Sequence, residues 1–183
     1  MTKEHSPDRL DVKAFVQAGA TLTGHDSLLK YQRLAEEAQG LHPDLYVDWQ
    51  AHGELRHVDG GGEAQWMHLQ VQCAVPLLCQ RCLGPVDAPL EVDRWFRFVA
   101  DEATAEALDD EAEEDLLAIS REFDLRALIE DELLMALPVV PAHDVCPTRV
   151  PMAFSDEAFE AANDEKPNPF AALAGLQTPK SSK

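Results

Sequence analysis

Between residues 45 and 98 this chain alternates apolar and polar side chains in three successive runs, and that alternation restricts its fold more than any other feature. In 45–57 the apolar positions are Leu45, Val47, Trp49, Ala51 and Leu55, with Asp48, Gln50, His52, Glu54 and Arg56 between them. In 67–79 they are Met67, Leu69, Val71, Cys73, Val75, Leu77 and Cys79. In 86–98 the phase moves to even positions, with Val86, Leu90, Val92, Phe96 and Phe98. A period of two sends successive side chains to opposite faces of a strand. Each run therefore predicts a half-buried antiparallel strand, and the three in series predict a β-meander. Asp59-Gly-Gly-Gly62 reads as the first turn. Pro76 and Pro89 lack an N–H donor, so the ladder is expected to sit at an edge, bulge or break near the second turn.

Helical signals flank these runs. Ser27 to Gln39 reads as a short amphipathic helix with Ser27 as cap and Gly40 as stop. Phe123 to Leu137 is the strongest helix. Asp124 caps it, Leu125, Leu128, Ile129, Leu133 and Ala136 form its apolar stripe, and Pro138 ends it. Glu130, Asp131 and Glu132 read as a solvated face, because consecutive helical residues point about 100° apart and do not converge. Residues 9–23 contain a short strand-like stretch ending near Gly19. The expected fold is α+β: an antiparallel β-meander packed against one long amphipathic helix, as a single domain over 1–141. A polar, proline-containing tail follows at 142–183.

Charge narrows the range of functions. The chain carries 34 acidic and 15 basic side chains, for a net charge of −19, and 20 of the acids lie in 101–183 against 6 bases. From Asp101 to Ala118 there are nine acids and no base, which predicts a disordered acidic loop. Nucleic-acid affinity comes from Lys and Arg neutralising phosphates, so this surface opposes bare RNA or DNA and favours basic protein partners. Arg94 and Arg97 are the nearest approach to a basic cluster. With no signal-like N-terminal run and no apolar span, the expectation is a cytoplasmic protein with reduced thiols and no membrane contact.

Cys79-Gln-Arg-Cys82 joins the second and third runs. Such a pair can chelate a metal, oxidise or pack. Leu83-Gly84-Pro85 follows instead of a helix, so the redox reading lacks the N-terminal dipole that lowers a thiol pKa. His143-Asp-Val-Cys146 repeats the two-residue gap, and convergence of the pairs would give a Cys₃His zinc site. Cys73, in phase with Val71 and Val75, reads as core. The segment Lys166-Pro167-Asn168-Pro169-Phe170, followed by Leu173 and Leu176, reads as a docking motif, a fold-back or a frayed tail. No phosphate loop, Ser/His/Asp order or His-Glu-x-x-His motif is present, so no catalytic apparatus is visible.

Three blocks carry a resemblance to a known family. They are Leu78 to Val86 around the knuckle, Phe123 to His143 with Cys146, and Lys166 to Leu176. Together they resemble the YceD family of large ribosomal RNA subunit accumulation proteins, in order from about residue 45 to 176. The resemblance implies a cytoplasmic bacterial ribosome biogenesis factor supporting synthesis, processing or stability of large-subunit (23S) rRNA. Taken with the net charge of −19, it points to a non-catalytic protein contacting a basic ribosomal protein or a large-subunit assembly intermediate through the acidic segment 101–118 and the Lys166–Phe170 tail. The alternative is a thiol- or metal-dependent enzyme, an oxidoreductase or an RNA-processing nuclease, using Cys79 and Cys82. Other branches of the family carry further CxxC pairs, whereas this chain has Cys79, Cys82 and Cys146 without a second CxxC.

Overall fold

A computed structural model describes residues 5–58, 62–110, 112–148 and 154–159. The three alternating runs become long strands, β2 (Tyr46–Val58), β3 (Gly62–Leu78) and β4 (Pro85–Val99). They pair antiparallel in sequence order, from Val47 opposite Cys73 to Leu78 opposite Pro85. Residues 59–61 of the expected first turn lie outside the described residues. Two more strands complete a mixed five-stranded sheet in the order β1-β2-β3-β4-β5, with β1 (Thr21–Ser27) antiparallel to β2 and β5 (Asp115–Ala118) parallel to β4.

That architecture corrects the expectation of a meander packed on one long helix. The longest described helix, α4 (Leu125–Met135), has 11 residues and shares its side of the sheet with α1 (Val12–Gln17) and α2 (Gln32–Glu37). The stretch 9–23 is not a strand: Asp11 caps α1, and only its last residues enter β1. Nor is 101–118 a structureless loop. Asp101 caps α3 (Glu102–Leu108) by accepting the Thr104 N–H at 2.8 Å, and the acids at 114–115 are drawn onto the sheet by arginines of β4. Arg97 Nε lies 2.7 Å from Glu114 Oε1, and Arg94 pairs with Asp115. The two arginines that come nearest to a basic cluster are thus neutralised within the fold.

The prolines leave the β3–β4 ladder unbroken. Ala74 faces Pro89 and Pro76 faces Asp87, two positions apart and so in the same phase, which lets each missing N–H point out of the ladder. β2 pairs with β3 only as far as Cys73, and β5 pairs with β4 only from Phe96. Both prolines therefore occupy stretches where the strand is locally an edge.

The core lies between the helices and the dry face of the sheet, and includes Phe15, Tyr31, Met67, Leu69, Phe96, Ile129 and Leu133, all essentially inaccessible. Two glycines permit close approaches in it. A Cβ on Gly24 would stand 2.3 Å from Trp49 Cε2, and one on Gly53 would stand 2.9 Å from Val16 Cα. A buried polar knot sits beside Trp49. Asp26 accepts from Lys30 Nζ at 2.7 Å, Trp49 Nε1 at 2.9 Å and an Arg126 guanidinium nitrogen at 2.8 Å, joining β1, β2 and α4. Burial pushes its carboxyl up, but these donors outweigh burial and hold it at about 2. The acidic triplet of α4 is tied into the fold: Asp131 is exposed as a solvated face requires, but Glu130 is partly covered and Glu132 is buried. Glu130 and Asp131 both pair with Arg33 of α2, and Glu132, 5 % exposed, accepts from Arg94 at 3.1 Å.

The chain divides into two compact units, Met1–Cys146 and Pro147–Lys183. In the second, a helical turn at 157–159 is capped by Asp156, whose Oδ1 accepts the Phe159 N–H at 2.7 Å. No described helix is long and apolar enough to cross a membrane.

Candidate metal centre

The β3–β4 connection is a tight knuckle closed by its own backbone. Cys79 N–H donates to the Gly84 carbonyl and Leu83 N–H donates to the Cys79 carbonyl, each at 2.9 Å. Closure requires a left-handed residue, and Leu83 supplies it at φ 58°. An L-residue with a Cβ pays a steric penalty of about 1–2 kcal/mol there. Its side chain is 68 % exposed, so no burial of Leu83 offsets the strain.

The second pair reaches the knuckle through the backbone. Past the end of α4 and Pro138, the Pro141 carbonyl accepts the Gln80 N–H at 2.8 Å. That bond sets the following residues against the knuckle, and His143 and Cys146 arrive beside Cys79 and Cys82. The four donor atoms lie within 4.8 Å of one another. Cys79 Sγ is 4.0 Å from Cys146 Sγ, and Cys82 Sγ is 3.5 Å from His143 Nδ1.

These separations suit a metal. Bonds of ~2.3 Å to sulfur and ~2.0 Å to nitrogen in a tetrahedron place two sulfurs about 3.8 Å apart and a sulfur and a nitrogen about 3.5 Å apart. All four cysteines are free thiols. Cys79 is buried and the other three donors are partly buried. The Cys79 thiol is brought down to about 5, first by the Cys82 backbone N–H at its sulfur, against burial that pushes it up. The backbone N–H groups of His143 and Arg81 and the His143 side chain act in the same direction. Cys146 moves the other way, raised by burial and then by its neighbours Cys82 and Cys79. A site that favours thiolate at its innermost sulfur and closes with an imidazole has the donor chemistry of structural zinc.

The four expected ligands thus stand together. Cys73, by contrast, lies on the dry face of β3, where burial pushes its thiol up to about 11. Lys166, Pro167, Asn168, Pro169 and Phe170 lie outside the described residues. Reading the sequence missed Arg81, whose backbone N–H faces Cys79 and whose guanidinium lies 4.0 Å from Cys146 Sγ. Its position inside the CxxC turn was the available signal, because the turn aims its inner N–H groups at the first sulfur.

Fold and site together define a sheet protein covered by helices on one face, with a thiolate–imidazole knuckle at the end of its central hairpin. The model of the family described as "Large ribosomal RNA subunit accumulation protein YceD" matches residues 67–177, from β3 through the knuckle and α4. The chain belongs to the YceD family. A relative from Haemophilus influenzae, named Large ribosomal RNA subunit accumulation protein YceD, is 36% identical over 111 residues, 59% of this chain. The match spans 63% of that relative's length, less than two thirds. No solved structure matches the chain.

Proposed function

We propose that this protein is a non-catalytic cytoplasmic factor that supports the synthesis, processing or stability of large-subunit (23S) rRNA by binding a basic ribosomal protein or a large-subunit assembly intermediate. The family match over residues 67–177 carries this reading. Charge gives it direction. At −19 the chain repels phosphates and attracts cationic segments, such as those that proteins present to rRNA.

Cys79, Cys82, His143 and Cys146 hold one zinc ion in this reading, and the ion's task is structural. It ties the segment after α4 to the central hairpin, which little apolar burial secures: Leu83, Val139 and Val145 are all exposed there. Bound zinc would supply folding free energy to this corner, as in other small thiolate sites. The Lys166–Phe170 segment serves as an additional partner contact.

The test is depletion of the protein in its host, reading the ratio of large- to small-subunit rRNA. A selective fall in the large-subunit species is expected, with rescue by the wild-type chain. An unchanged ratio overturns the reading. Association with the partner is expected to survive ribonuclease, and complete loss on that treatment would count against a protein contact.

A further inference from the structure

The face of the sheet opposite the helices has no covering element among the described residues, and the strand register sorts it into transverse rows. One row runs Thr23, Gln50, Gln70, Asp93 from β1 to β4, and the next runs His25, Asp48, Gln72, Glu91. All eight side chains are exposed. The rows floor two adjoining depressions, about 430 and 440 Å³, that share Asp48, Gln72 and Glu91. The second also takes in Asp44 and the exposed Tyr46 ring. No lysine or arginine lines either depression.

The rows beyond this groove are different. There Arg56 lies 4.5 Å from the Trp66 ring and 3.8 Å from the Trp95 ring, and His68 stacks on Trp95 at 4.3 Å. Those aromatic faces are already occupied by the protein's own cation and imidazole, so they offer no ready platform for nucleobases.

We infer that this groove is the docking site for an extended Lys/Arg-rich segment of a protein partner. The inference rests on the reading that the protein binds a basic partner, and it places that contact on the open sheet face. Charge complementarity carries it. Asp44, Asp48, Glu91 and Asp93 offer acceptors for ammonium and guanidinium groups, while Gln50, Gln70 and Gln72 each offer both a donor and an acceptor to an extended backbone. Four strands at ~4.8 Å spacing make the groove about 14 Å wide, the span of roughly four residues of extended chain. His25 holds Asp48 at 2.6 Å and His68 holds Asp93 at 2.6 Å, so two of the four carboxylates are pre-positioned without a permanent cation. An RNA strand would set its phosphates against the same carboxylates.

The test uses the full chain and a synthetic peptide of four Lys-Gly-Arg repeats. A triple variant, Asp48→Asn, Glu91→Gln and Asp93→Asn, is compared with a charge-matched control on α3 and its C-cap, Glu102→Gln, Glu106→Gln and Asp109→Asn. The groove variant is expected to bind the peptide about tenfold more weakly, and the control less than about threefold. Equal losses would reduce the effect to bulk charge and overturn the proposal, as would no loss in the groove variant. Tighter binding of a single-stranded RNA oligonucleotide, lost in the groove variant, would overturn it in favour of nucleic acid. Carbodiimide cross-linking of the peptide to the wild-type chain gives a check that does not depend on how the variants fold: adducts at Asp44, Asp48 or Glu91 support the groove, and adducts confined to 101–118 refute it. Rescue in depleted cells separates the two levels. If the groove variant restores the rRNA ratio as well as wild type does, the groove falls and the function stands. If depletion leaves the ratio unchanged, the function falls while the peptide experiment still decides the groove.

Discussion

The sheet core and the knuckle end of this molecule are held by different physics. In the core, strands of 13, 17 and 15 residues pack a continuous apolar face under short helices, and interior carboxylates are matched by cations: Asp26 with Lys30 and Arg126, Glu132 with Arg94. At the knuckle the apolar residues Leu83, Val139 and Val145 face water, and the chain is secured by a few backbone hydrogen bonds and four donor side chains. Area burial stabilises the first region whatever the solution contains. In the proposed reading, the second depends on the metal its thiols hold. One chain can therefore carry a rigid platform and a conditional clasp.

The sharpest break of this contrast is a cavity in the core. Ile129→Ala removes a fully buried side chain from α4 and is expected to cost about 3 kcal/mol, read as a lower midpoint in urea with unchanged cooperativity. Chelation of zinc, or the pair Cys79→Ser and Cys82→Ser, should act locally. Amide protection is expected to fall at Gln80 and Leu83, while the β2–β3 amides keep theirs, as read by hydrogen exchange. Equal loss across the sheet would show that the knuckle is not a separate unit.

Acid probes the polar knot of the core. Asp26 is held below its ordinary 3.8, at about 2, so its contribution is full above pH 4 or so and is lost as pH falls toward 2. Asp26→Asn should therefore show a shallower decline in stability across that window than wild type. The smallest expected effect is at Leu83. Leu83→Gly relieves the left-handed strain but loosens the unfolded chain, for a net gain of about 0.5 kcal/mol, seen as slightly slower exchange within the knuckle.

How much was legible follows from the range of each signal. Period-two alternation is local, so both ends of β2 and β4 and the far end of β3 could be read within a residue, while the first five residues of β3, Gly62 to Trp66, lie outside the alternating run. Asp124 was a recognisable cap, because capping is decided within four residues, whereas Ser27 caps only a 3-10 turn at Leu28–Lys30 and α2 starts separately after Tyr31. β5 was hidden. Its four residues sit at the end of an acidic run, and its parallel pairing depends on Arg94 and Arg97, which are close in space but not in sequence. The same distance in sequence hid the pairing of Glu130 and Asp131 with Arg33, so the solvated reading of the triplet holds only for the exposed Asp131.

The candidate site divides along the same line. Sequence by itself determined which residues carry metal-ligating chemistry, two pairs with two-residue gaps, because donor type and turn spacing are properties of a few consecutive residues. It also determined the acidic balance, −19 overall, on which the proposed basic partner rests. Only the tertiary structure decided that the pairs meet, since that depends on where α4 ends and on one hydrogen bond from Gln80 to Pro141. Only the structure ranked the polar faces of four strands into rows, because register, unlike periodicity, is a relation between strands and is set by the whole sheet.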